Sequence, residues 1–580
     1  MACTTILVGK LASHDGSTMV ARNEDTGAGS FCPKNFQVVK PEDQVKKYKS
    51  VISKVEIDLP DNPLQYTHTR NAFDNEGIWG AYGVNSKNVS MTATETITNN
   101  ERLLAADPLV VYQKAEGKEG EADYQAEKAG GIGEEDMVTI VLPYITSARE
   151  GVERLGKLLE EYGTYEMNAI AFQDLDEIWW METIGGHHWY AKRVPDTHYV
   201  VMPNQLGIDN FDLWDAEHEQ IEHMASADLR EFILENHLNP EWSIAEIQYI
   251  LSEEIADDDF EDYYELIDNE FEDYFELDDE DEDSEVEIVV DEFDDEDEDI
   301  DDDADFAIAS EFEDEDIINP RLVFGTSYDS DHSYNTPRAW VIQRFFNPKS
   351  SNWDGEDAEY KPCSDDIPWS RIAERKITPE DIKYALSNHY QGTPYDPYRK
   401  CEQCHTHQSA RPIGINRTST LGLVQLRPYL PEECRALEWV TYGCNVFNTM
   451  IPFYTNIDKT PEYMDHATSE ISTDNYYWVN RLIGALADAH YAQCSNHVER
   501  YQIKTVVEAR KLIREYDNKI LEVLAKNNSD NKAKEASKIL CQEANEKLAA
   551  MLKKESNELL AKVLFEASLK MKTSFNRSDA

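Results

Sequence analysis

A cysteine, an arginine and an aspartate near the start of the chain are residue types that together could form a reactive thiol site. They are Cys3, Arg22 and Asp25. A neighbouring guanidinium favours the thiolate, the reactive form of cysteine, and a carboxylate can orient an ammonium group. If processing exposes Cys3 at the N-terminus, its α-amino group, with an unperturbed pKa of about 7.7–8.0, lies close to the thiol. Nucleophile and general base would then belong to one residue.

A purely structural role for Cys3 competes with this chemistry. Small buried cysteines near the starts of strands are common, and cysteine packs well as a small apolar residue. Charged residues at strand ends often have no chemical function. Composition and spacing alone therefore leave both roles open.

Two β-rich runs, 4–8 and 18–21, would bring the three side chains together. They are joined through His14-Asp-Gly-Ser17, a turn signal, and so predict an antiparallel hairpin. Pairing about a centre near residue 14 or 15 would place Cys3 opposite roughly residues 25 to 28. The thiol, the guanidinium and the carboxylate would then meet at one end of the hairpin.

The first 205 residues mix strand and helix signals. Further strand-like runs occur at 89–94, 168–172, 178–182 and 188–193. A helix is predicted to begin at Ser147-Ala-Arg-Glu150, which has the pattern of a capping box, and to continue with apolar residues at helical spacing. This mixture indicates an α+β layered fold.

The part of the chain after residue 375 is predicted to be mainly helical. Thr378-Pro-Glu380 has the pattern of an N-cap, a proline at the first helical position and an acidic first turn. Long helical patterns follow at about 475–496, 503–526 and 531–570. The last of these is rich in Ala, Lys, Glu and Leu and is predicted to pack on the body as a helix or helical hairpin.

Charge is distributed unevenly along the chain. The formal net charge is -61 over 580 residues, and 253–316 contains 38 carboxylates and no Lys or Arg, which leaves about -23 for the rest. An acidic surface argues against binding nucleic acid or anionic membranes, since both require positive charge. Small molecules are the expected partners. In segment 253–316, acidic repulsion should outweigh any core, so it is predicted to be a disordered insertion.

The start of the chain and the cysteines indicate a cytoplasmic protein. The opening residues lack the basic region of a secretory signal, and no apolar stretch approaches the roughly 20 residues that span a bilayer. Nine cysteines are scattered over a long chain, unlike a disulfide framework, so free thiols are expected.

One cysteine motif could hold a metal or haem. Cys401 and Cys404, with His405 and His407, match the Cys-x-x-Cys-His pattern of haem c attachment and also offer four zinc ligands within seven residues. Covalent haem attachment needs an exported environment, and a zinc site usually draws its ligand pairs from separated segments. A reduced surface loop without a metal is therefore the favoured interpretation, and zinc remains the alternative.

Many stretches, in order, resemble the dipeptidase A and secernin family of cysteine peptidases, which are N-terminal-nucleophile enzymes related to the choloylglycine hydrolases. The stretches cover about residues 3–250 and 320–495. They include Cys3-Thr-Thr-Ile-Leu-Val-Gly-Lys10, Ala21-Arg-Asn-Glu-Asp25, Gly83-Val-Asn-Ser-Lys87, Gly131-Ile-Gly-Glu-Glu-Asp136, Trp179-Trp-Met-Glu-Thr183, Met202-Pro-Asn-Gln205, Tyr334-Asn-Thr-Pro-Arg338 and Arg411-Pro-Ile-Gly-Ile-Asn416. The resemblance implies a four-layer αββα sandwich and a reaction that needs no cofactor.

The resemblance also implies a role for each matching residue. Cys3 would be the nucleophile, with Arg22 close to its thiol and Asp25 orienting the freed amino group. Asn204 would donate to the oxyanion that forms when the thiol attacks a carbonyl. Arg338 would support Asn204 or the acyl intermediate.

Two positions depart from the related families. Because the cysteine is third in the chain, Met1 and Ala2 must both be removed before its amine exists. The position at which choloylglycine hydrolases have an oxyanion asparagine is occupied by Glu95, and an ionised carboxylate cannot stabilise an oxyanion. We therefore expect Glu95 to face the ammonium group of the substrate, which would favour peptides with a free N-terminus.

These observations predict a cysteine dipeptidase that works through a thioester. Residues 1–252 and 317–500 would form the hydrolase domain around the insertion 253–316, and 501–580 a helical extension. Small peptides are the expected partners, without nucleic acid or membrane, and a homo-oligomer is compatible with the sequence. The alternatives are an amidase acting on N-acyl amino acids or conjugated amides, and a secernin-like protein that keeps the fold but works by binding.

Overall fold

The computed structural model describes residues 2–27, 30–242, 316–399, 409–526 and 531–573. The motif between Cys401 and His407 and all but the last residue of the acidic segment 253–316 lie outside these ranges. The disorder expected for the segment and the metal-free loop expected for the motif therefore remain predictions. The described residues form an α+β fold with antiparallel sheets, as the sequence predicts.

The first large sheet has seven strands and contains the predicted hairpin at its centre. From edge to edge the strands are β17 (Ser370–Arg371), β13 (Tyr199–Met202), β1 (Ala2–Val8), β2 (Thr18–Asp25), β18 (Thr418–Leu426), β19 (Ala436–Tyr442) and β20 (Ile451–Tyr454). In the hairpin, Thr5 pairs with Arg22 and Cys3 with Glu24. The predicted register, with Cys3 opposite residues 25 to 28, is therefore wrong by at least one residue, because the hairpin is centred between residues 13 and 14.

The second large sheet contains the other predicted strands of the first 205 residues. In order its strands are β15 (His223–Ala225), β12 (His188–Arg193), β11 (Ile178–Ile184), β10 (Asn168–Gln173), β8 (Ser90–Thr92), β7 (Tyr82–Asn85), β6 (Tyr66–Asn71) and β3 (Lys34–Val39), while β9 (Glu95–Thr96) also pairs with β10. Two small sheets join β4 (Lys47–Lys49) to β5 (Glu56–Asp58) and β14 (Phe211–Asp212) to β16 (Ile317–Ile318).

Alternate residues of β1 enter different apolar clusters, as the twofold period of a strand requires. Leu7, with Val20 of β2, packs in one cluster with Ala169 and Trp180 of the second sheet. Ile6 and Val8 belong to the cluster on the opposite face of the first sheet. Side chains of β1 that share the face of Leu7, including Cys3, therefore point between the two large sheets.

Twelve helices of at least four residues lie in the described ranges. They are α1 (Glu101–Ala106), α2 (Glu134–Val141), α3 (Ala148–Tyr162), α4 (Leu213–Glu217), α5 (Leu229–Glu235), α6 (Pro320–Val323), α7 (Asp331–Tyr334), α8 (Thr336–Phe346), α9 (Pro379–Ala385), α10 (Tyr476–Asp488), α11 (Tyr491–Lys526) and α12 (Asn531–Leu569). The capping box predicted at α9 is present, between Thr378 and Asp381. At α3 the Ser147 side chain caps the helix, but the Glu150 carboxylate accepts from Thr146 rather than from Ser147, so that box is only half formed.

The prediction that the chain is mainly helical after residue 375 is wrong for residues 418–454. Strands β18, β19 and β20 lie there and extend the first sheet from β2. The predicted C-terminal helices are present. The break expected between the helical patterns 475–496 and 503–526 is not, because α11 is continuous there and also crosses residue 500, the predicted end of the hydrolase domain. None of the described helices is both long and apolar enough to cross a membrane.

Candidate active site

Cys3 and Arg22 lie on adjacent strands and meet between the sheets. The Arg22 Nη2 group donates a hydrogen bond to the Cys3 sulfur at 3.1 Å. This contact follows from the hairpin register, because Arg22 pairs with Thr5, two residues along β1 from Cys3 and on the same face. The predicted pairing of thiol and guanidinium is thus present in the structure.

Carboxylate and carbonyl oxygens surround Arg22 on its other sides. Its Nη2 group also lies 2.5 Å from Glu134 Oε1 and from the Thr94 carbonyl oxygen, so that two N–H groups are shared among three acceptors, and Nη1 donates to the Ala81 carbonyl at 3.0 Å. Burial works to lower the pKa of Arg22, but the Cys3 thiol and the carboxylates of Glu134 and Glu24 raise it above the ordinary value. Arg22 is therefore a permanent cation beside the sulfur.

The thiol of Cys3 is closed off in the chain that retains Ala2. The residue is fully buried, with 0% of its surface exposed. Burial raises the pKa of the Cys3 thiol to about 12, against the lowering effect of Arg22. In this form the sulfur is neutral at physiological pH, and activation requires a base.

The backbone nitrogen of Cys3 is held by Asn204, which follows β13. Asn204 Oδ1 accepts from the Cys3 N–H at 3.1 Å, while Nδ2 donates to Glu95 Oε1 at 3.0 Å and to the Thr96 carbonyl at 2.9 Å. The oxygen of the carboxamide thus faces the nucleophile's nitrogen. Its N–H groups, the predicted oxyanion donors, bond within the protein.

Arg338 contacts both Asn204 and the nucleophile. It lies in the first turn of α8, and Nη2 donates to Asn204 Oδ1 at 2.8 Å and to Asn335 Oδ1 at 2.6 Å. Its Nη1 group donates to the Cys3 carbonyl and, at 2.8 Å, to Thr4 Oγ1. Burial, together with nearby Arg411, lowers the pKa of Arg338 to about 10, so it stays charged. The predicted contact between Arg338 and Asn204 is present.

Asp25 lies close to the site but has other partners. Its carboxylate forms an ion pair with Arg411 and accepts from Thr418 Oγ1 at 2.6 Å. It pairs across the hairpin with Ala2, so its side chain lies on the opposite face of the sheet from the Cys3 thiol. Its expected bond to the freed amine of Cys3 remains a prediction.

Glu95 is enclosed and bonded to two neutral groups. Its Oε1 accepts from Asn204, and its Oε2 accepts from Thr5 Oγ1 at 2.7 Å. Burial raises the pKa of Glu95 to about 8, although Arg338 and Arg22 act to lower it. Both oxygens that were expected to meet a substrate ammonium group are therefore engaged inside the protein.

Three contributors to the site were not identified from the sequence. Glu134 begins α2 and pairs with Arg22, Arg411 pairs with Asp25, and Asn335 connects Arg338 to the Asn204 backbone. Each belongs to a stretch that resembles the peptidase family, which was the available signal. Their contacts with Arg22, Asp25 and Asn204 span more than a hundred residues of sequence, so local spacing could not predict these partners.

Removing Arg22 should destabilise the fold strongly. In Arg22→Leu the buried ion pair with Glu134 is lost, and breaking a buried ion pair by removing one member typically costs about 3–5 kcal/mol. Urea unfolding followed by circular dichroism measures this change. Lys46→Leu, which breaks an exposed pair with Asp61, is the control and should change little. An Arg22→Leu protein as stable as the wild type would contradict the buried ion pair.

Comparison with known proteins places the chain in a family. A model of peptidase family C69 matches residues 2–265 and 261–504. The "Dipeptidase" of Bifidobacterium longum (strain NCC 2705) is 47% identical over 609 residues, and the "Probable dipeptidase A" of Streptococcus pyogenes serotype M3 (strain SSI-1) is 42% identical over 579, each match covering 100% of both chains. The "Dipeptidase A" of Lactobacillus helveticus is 37% identical over 97% of this chain and 96% of the relative. With its thiol, guanidinium and carboxamide gathered at the start of β1, the chain belongs to peptidase family C69.

Proposed function

We propose that this protein is a dipeptidase that cleaves peptide bonds through a thioester at Cys3, after Met1 and Ala2 have been removed. The observation that carries the proposal is the surroundings of Cys3. Arg22 lies 3.1 Å from its sulfur, and Asn204 Oδ1 lies 3.1 Å from its nitrogen. Family membership and the dipeptidase names of full-length relatives support the substrate class.

The reaction would proceed in two acyl-transfer steps. The α-amine of Cys3 takes the thiol proton, and the thiolate attacks the peptide carbonyl carbon. The resulting ammonium group protonates the leaving nitrogen as the C–N bond breaks, which leaves a thioester. The amine then takes a proton from water, the hydroxide attacks the thioester, and the carboxylic acid leaves as the thiol is restored.

In these reaction steps the residues around Cys3 would stabilise the charges that develop and orient the reacting groups. Arg22 stabilises negative charge on the sulfur during attack and release. Asn204 holds the amine through Oδ1 and supplies an N–H to the oxyanion, and Arg338 fixes the Asn204 carboxamide. Asp25 would orient the ammonium form of the Cys3 amine once Ala2 is absent.

The finer architecture that we propose is the four-layer αββα sandwich of N-terminal-nucleophile hydrolases. In support, Val152 and Leu155 of α3 share a cluster with Trp179 of the second sheet. Trp340 of α8 and residues of α10 to α12 share another with the outer face of the first sheet. Pairing of β2 with β18 joins residues 1–252 to 317–500, as one hydrolase domain interrupted by the insertion would require.

Substrate assays test the proposed function against its two rivals. The value of kcat/KM for dipeptides should exceed that for the same dipeptides N-acetylated and for N-acyl amino acids, with amine release as the measurement. A preference for N-acyl substrates would favour the amidase. Binding without turnover by any of these, in a chain shown by mass to begin at Cys3, would favour the non-catalytic alternative.

A further inference from the structure

The contacts of Asn204 present a problem for oxyanion stabilisation. Its two Nδ2 hydrogens bond to Glu95 Oε1 and to the Thr96 carbonyl. Arg338 and the Cys3 nitrogen both donate to Oδ1, so the carboxamide cannot turn over without losing these bonds. For Asn204 to serve an oxyanion, one N–H must therefore leave its present acceptor during the reaction.

Glu95 is the acceptor whose strength can change. A hydrogen bond to an ionised carboxylate is roughly twice as strong as one to a neutral group. An ionised Glu95 would hold the Asn204 N–H tightly and would also repel the negative charge that develops on the substrate oxygen. A neutral Glu95 would orient the carboxamide yet release the N–H at lower cost.

The surroundings of Glu95 favour the neutral form. Its side chain has 0% exposure, and its two hydrogen-bond partners in the described chain, Thr5 and Asn204, are both uncharged. The charged and titratable groups that face it are Cys3 from β1, Arg22 from β2 and Arg338 from α8, and Asp25 acts on it electrostatically from the opposite face of the first sheet. The strand β10, which pairs with that of Glu95, has no titratable side chain.

We propose that Glu95 is a positioning residue that works as a neutral carboxyl group, holding the Asn204 carboxamide and releasing one of its N–H groups to the oxyanion. The proposal rests on the proposed dipeptidase function and assigns Glu95 to the acyl side of the reaction rather than to the substrate's ammonium group. It also explains how a glutamate can occupy a position where a carboxylate would be harmful.

The pH dependence of turnover follows from this role. The pKa of Glu95 is raised to about 8, so the neutral form prevails below this value and is lost as the pH rises through it. The Cys3 amine must be unprotonated, which gives the rising limb of the profile. Between pH 7.5 and 9.5 the neutral fraction of a group with pKa near 8 falls about 25-fold, and deprotonation of the Cys3 amine offsets part of this fall, so kcat of the wild type should fall about tenfold.

The test is the pH profile of Glu95→Gln. Glutamine keeps a neutral acceptor for the Asn204 N–H and cannot ionise. At pH 7.5 we expect kcat within about threefold of the wild type and an unchanged KM for dipeptides, and the fall toward pH 9.5 should disappear. Glu95→Ala removes the acceptor and should lower kcat by about 10²–10³, the loss typical of a missing oxyanion donor. If kcat is kept in Glu95→Gln and lost in Glu95→Ala, the residue acts by positioning Asn204 and not simply by packing.

Glu438→Gln is the matched control. Glu438 is also fully buried, accepts from a threonine, Thr67 Oγ1 at 2.5 Å, and has its pKa raised to about 8 by burial. Because it has no contact with Asn204, its variant should keep the wild-type profile, including the fall above pH 8.

Three results would overturn the inference. They are a folded Glu95→Gln protein without turnover, a Glu95→Gln profile that still falls above pH 8, and a KM for dipeptides raised tenfold at constant kcat. The last result would indicate that Glu95 contacts the substrate's ammonium group. Failure of the proposed function is distinguishable, since the wild type itself would then hydrolyse no dipeptide. The protonation state of Glu95 can then be measured without turnover. Infrared absorption of a protonated carboxyl group at neutral pH that is absent from Glu95→Gln would show that Glu95 is neutral.

Discussion

Replacing Cys3 by alanine should lower kcat for dipeptides by at least about 10⁴-fold, because loss of the nucleophile in comparable hydrolases costs about that much or more. Arg22, Asn204 and Arg338 contact Cys3 and are held by other residues as well. The site should therefore persist around the smaller side chain. Amine release from a dipeptide measures the loss, and circular dichroism with urea unfolding establishes that the variant folds.

The matched control for this substitution is Cys494→Ala. Cys494 is likewise fully buried, but it lies on α11 in the apolar cluster of the C-terminal helices. Removing its sulfur should leave turnover at the wild-type level. Substantial turnover by the Cys3→Ala protein would mean that another group attacks the peptide, and the thioester would have to be abandoned.

The hairpin that carries the nucleophile was predictable because its signals are local. An apolar run, a turn rich in Asp, Gly and Ser, and a second run lie within 25 residues of each other, and β1 and β2 follow from them. The predicted register is less accurate. When two strands are joined by a longer loop, their register is set by the whole sheet and not by the turn. The predicted contact between Arg22 and Cys3 is present in spite of the error in register.

The strands of residues 418–454 were missed for a different reason. Their sequences, such as Ala436-Leu-Glu-Trp-Val-Thr-Tyr442, have the β-branched and aromatic residues of strands. They lie between segments with strong helical periodicity, and that context favours a helical interpretation of the whole region. The same sheet then brings Thr418, at the start of β18, to Asp25. A local misassignment of secondary structure thus concealed one partner of a predicted site residue.

The electrostatic state of the site could not be predicted from residue types. A glutamate by itself indicates an ionised group, whereas the burial of Glu95 and its neutral partners favour the protonated form. Conversely, the cation beside Cys3 does not by itself make a thiolate, because burial of the sulfur outweighs it. Both outcomes depend on enclosure between the two large sheets, which a linear sequence does not display.

Turnover should be proportional to the fraction of chains that begin at Cys3. While Ala2 is attached, the Cys3 nitrogen is an amide, which has no basic lone pair to accept the thiol proton. With the thiol pKa at about 12, only about one thiol in 10⁴ is ionised at pH 8. Chains that retain Ala2 should therefore be slower by about 10²–10⁴, the contribution of a general base. Intact mass and dipeptide turnover, measured on the same samples during maturation, test this relation.

Deleting Ala2 provides the complementary variant. Cys3 then follows Met1 directly, so removal of the initiator methionine alone exposes the amine, and activity should match that of fully matured wild type. The Cys3→Ala variant distinguishes removal of Ala2 with the help of the Cys3 thiol from removal by another peptidase. If its mass shows Ala2 retained, the thiol takes part in its own release, and if Ala2 is lost, another peptidase removes it.

Processing should change the catalyst without rebuilding the site. Asn204 Oδ1 already accepts from the Cys3 nitrogen, and Arg22 already donates to the sulfur, in the chain that carries Ala2. Cleavage therefore converts an amide into an amine in place, and kcat should rise while the free energy of unfolding stays nearly constant. Full activity in chains whose mass includes Ala2 would contradict this account, because no amine would then be present to act as the base.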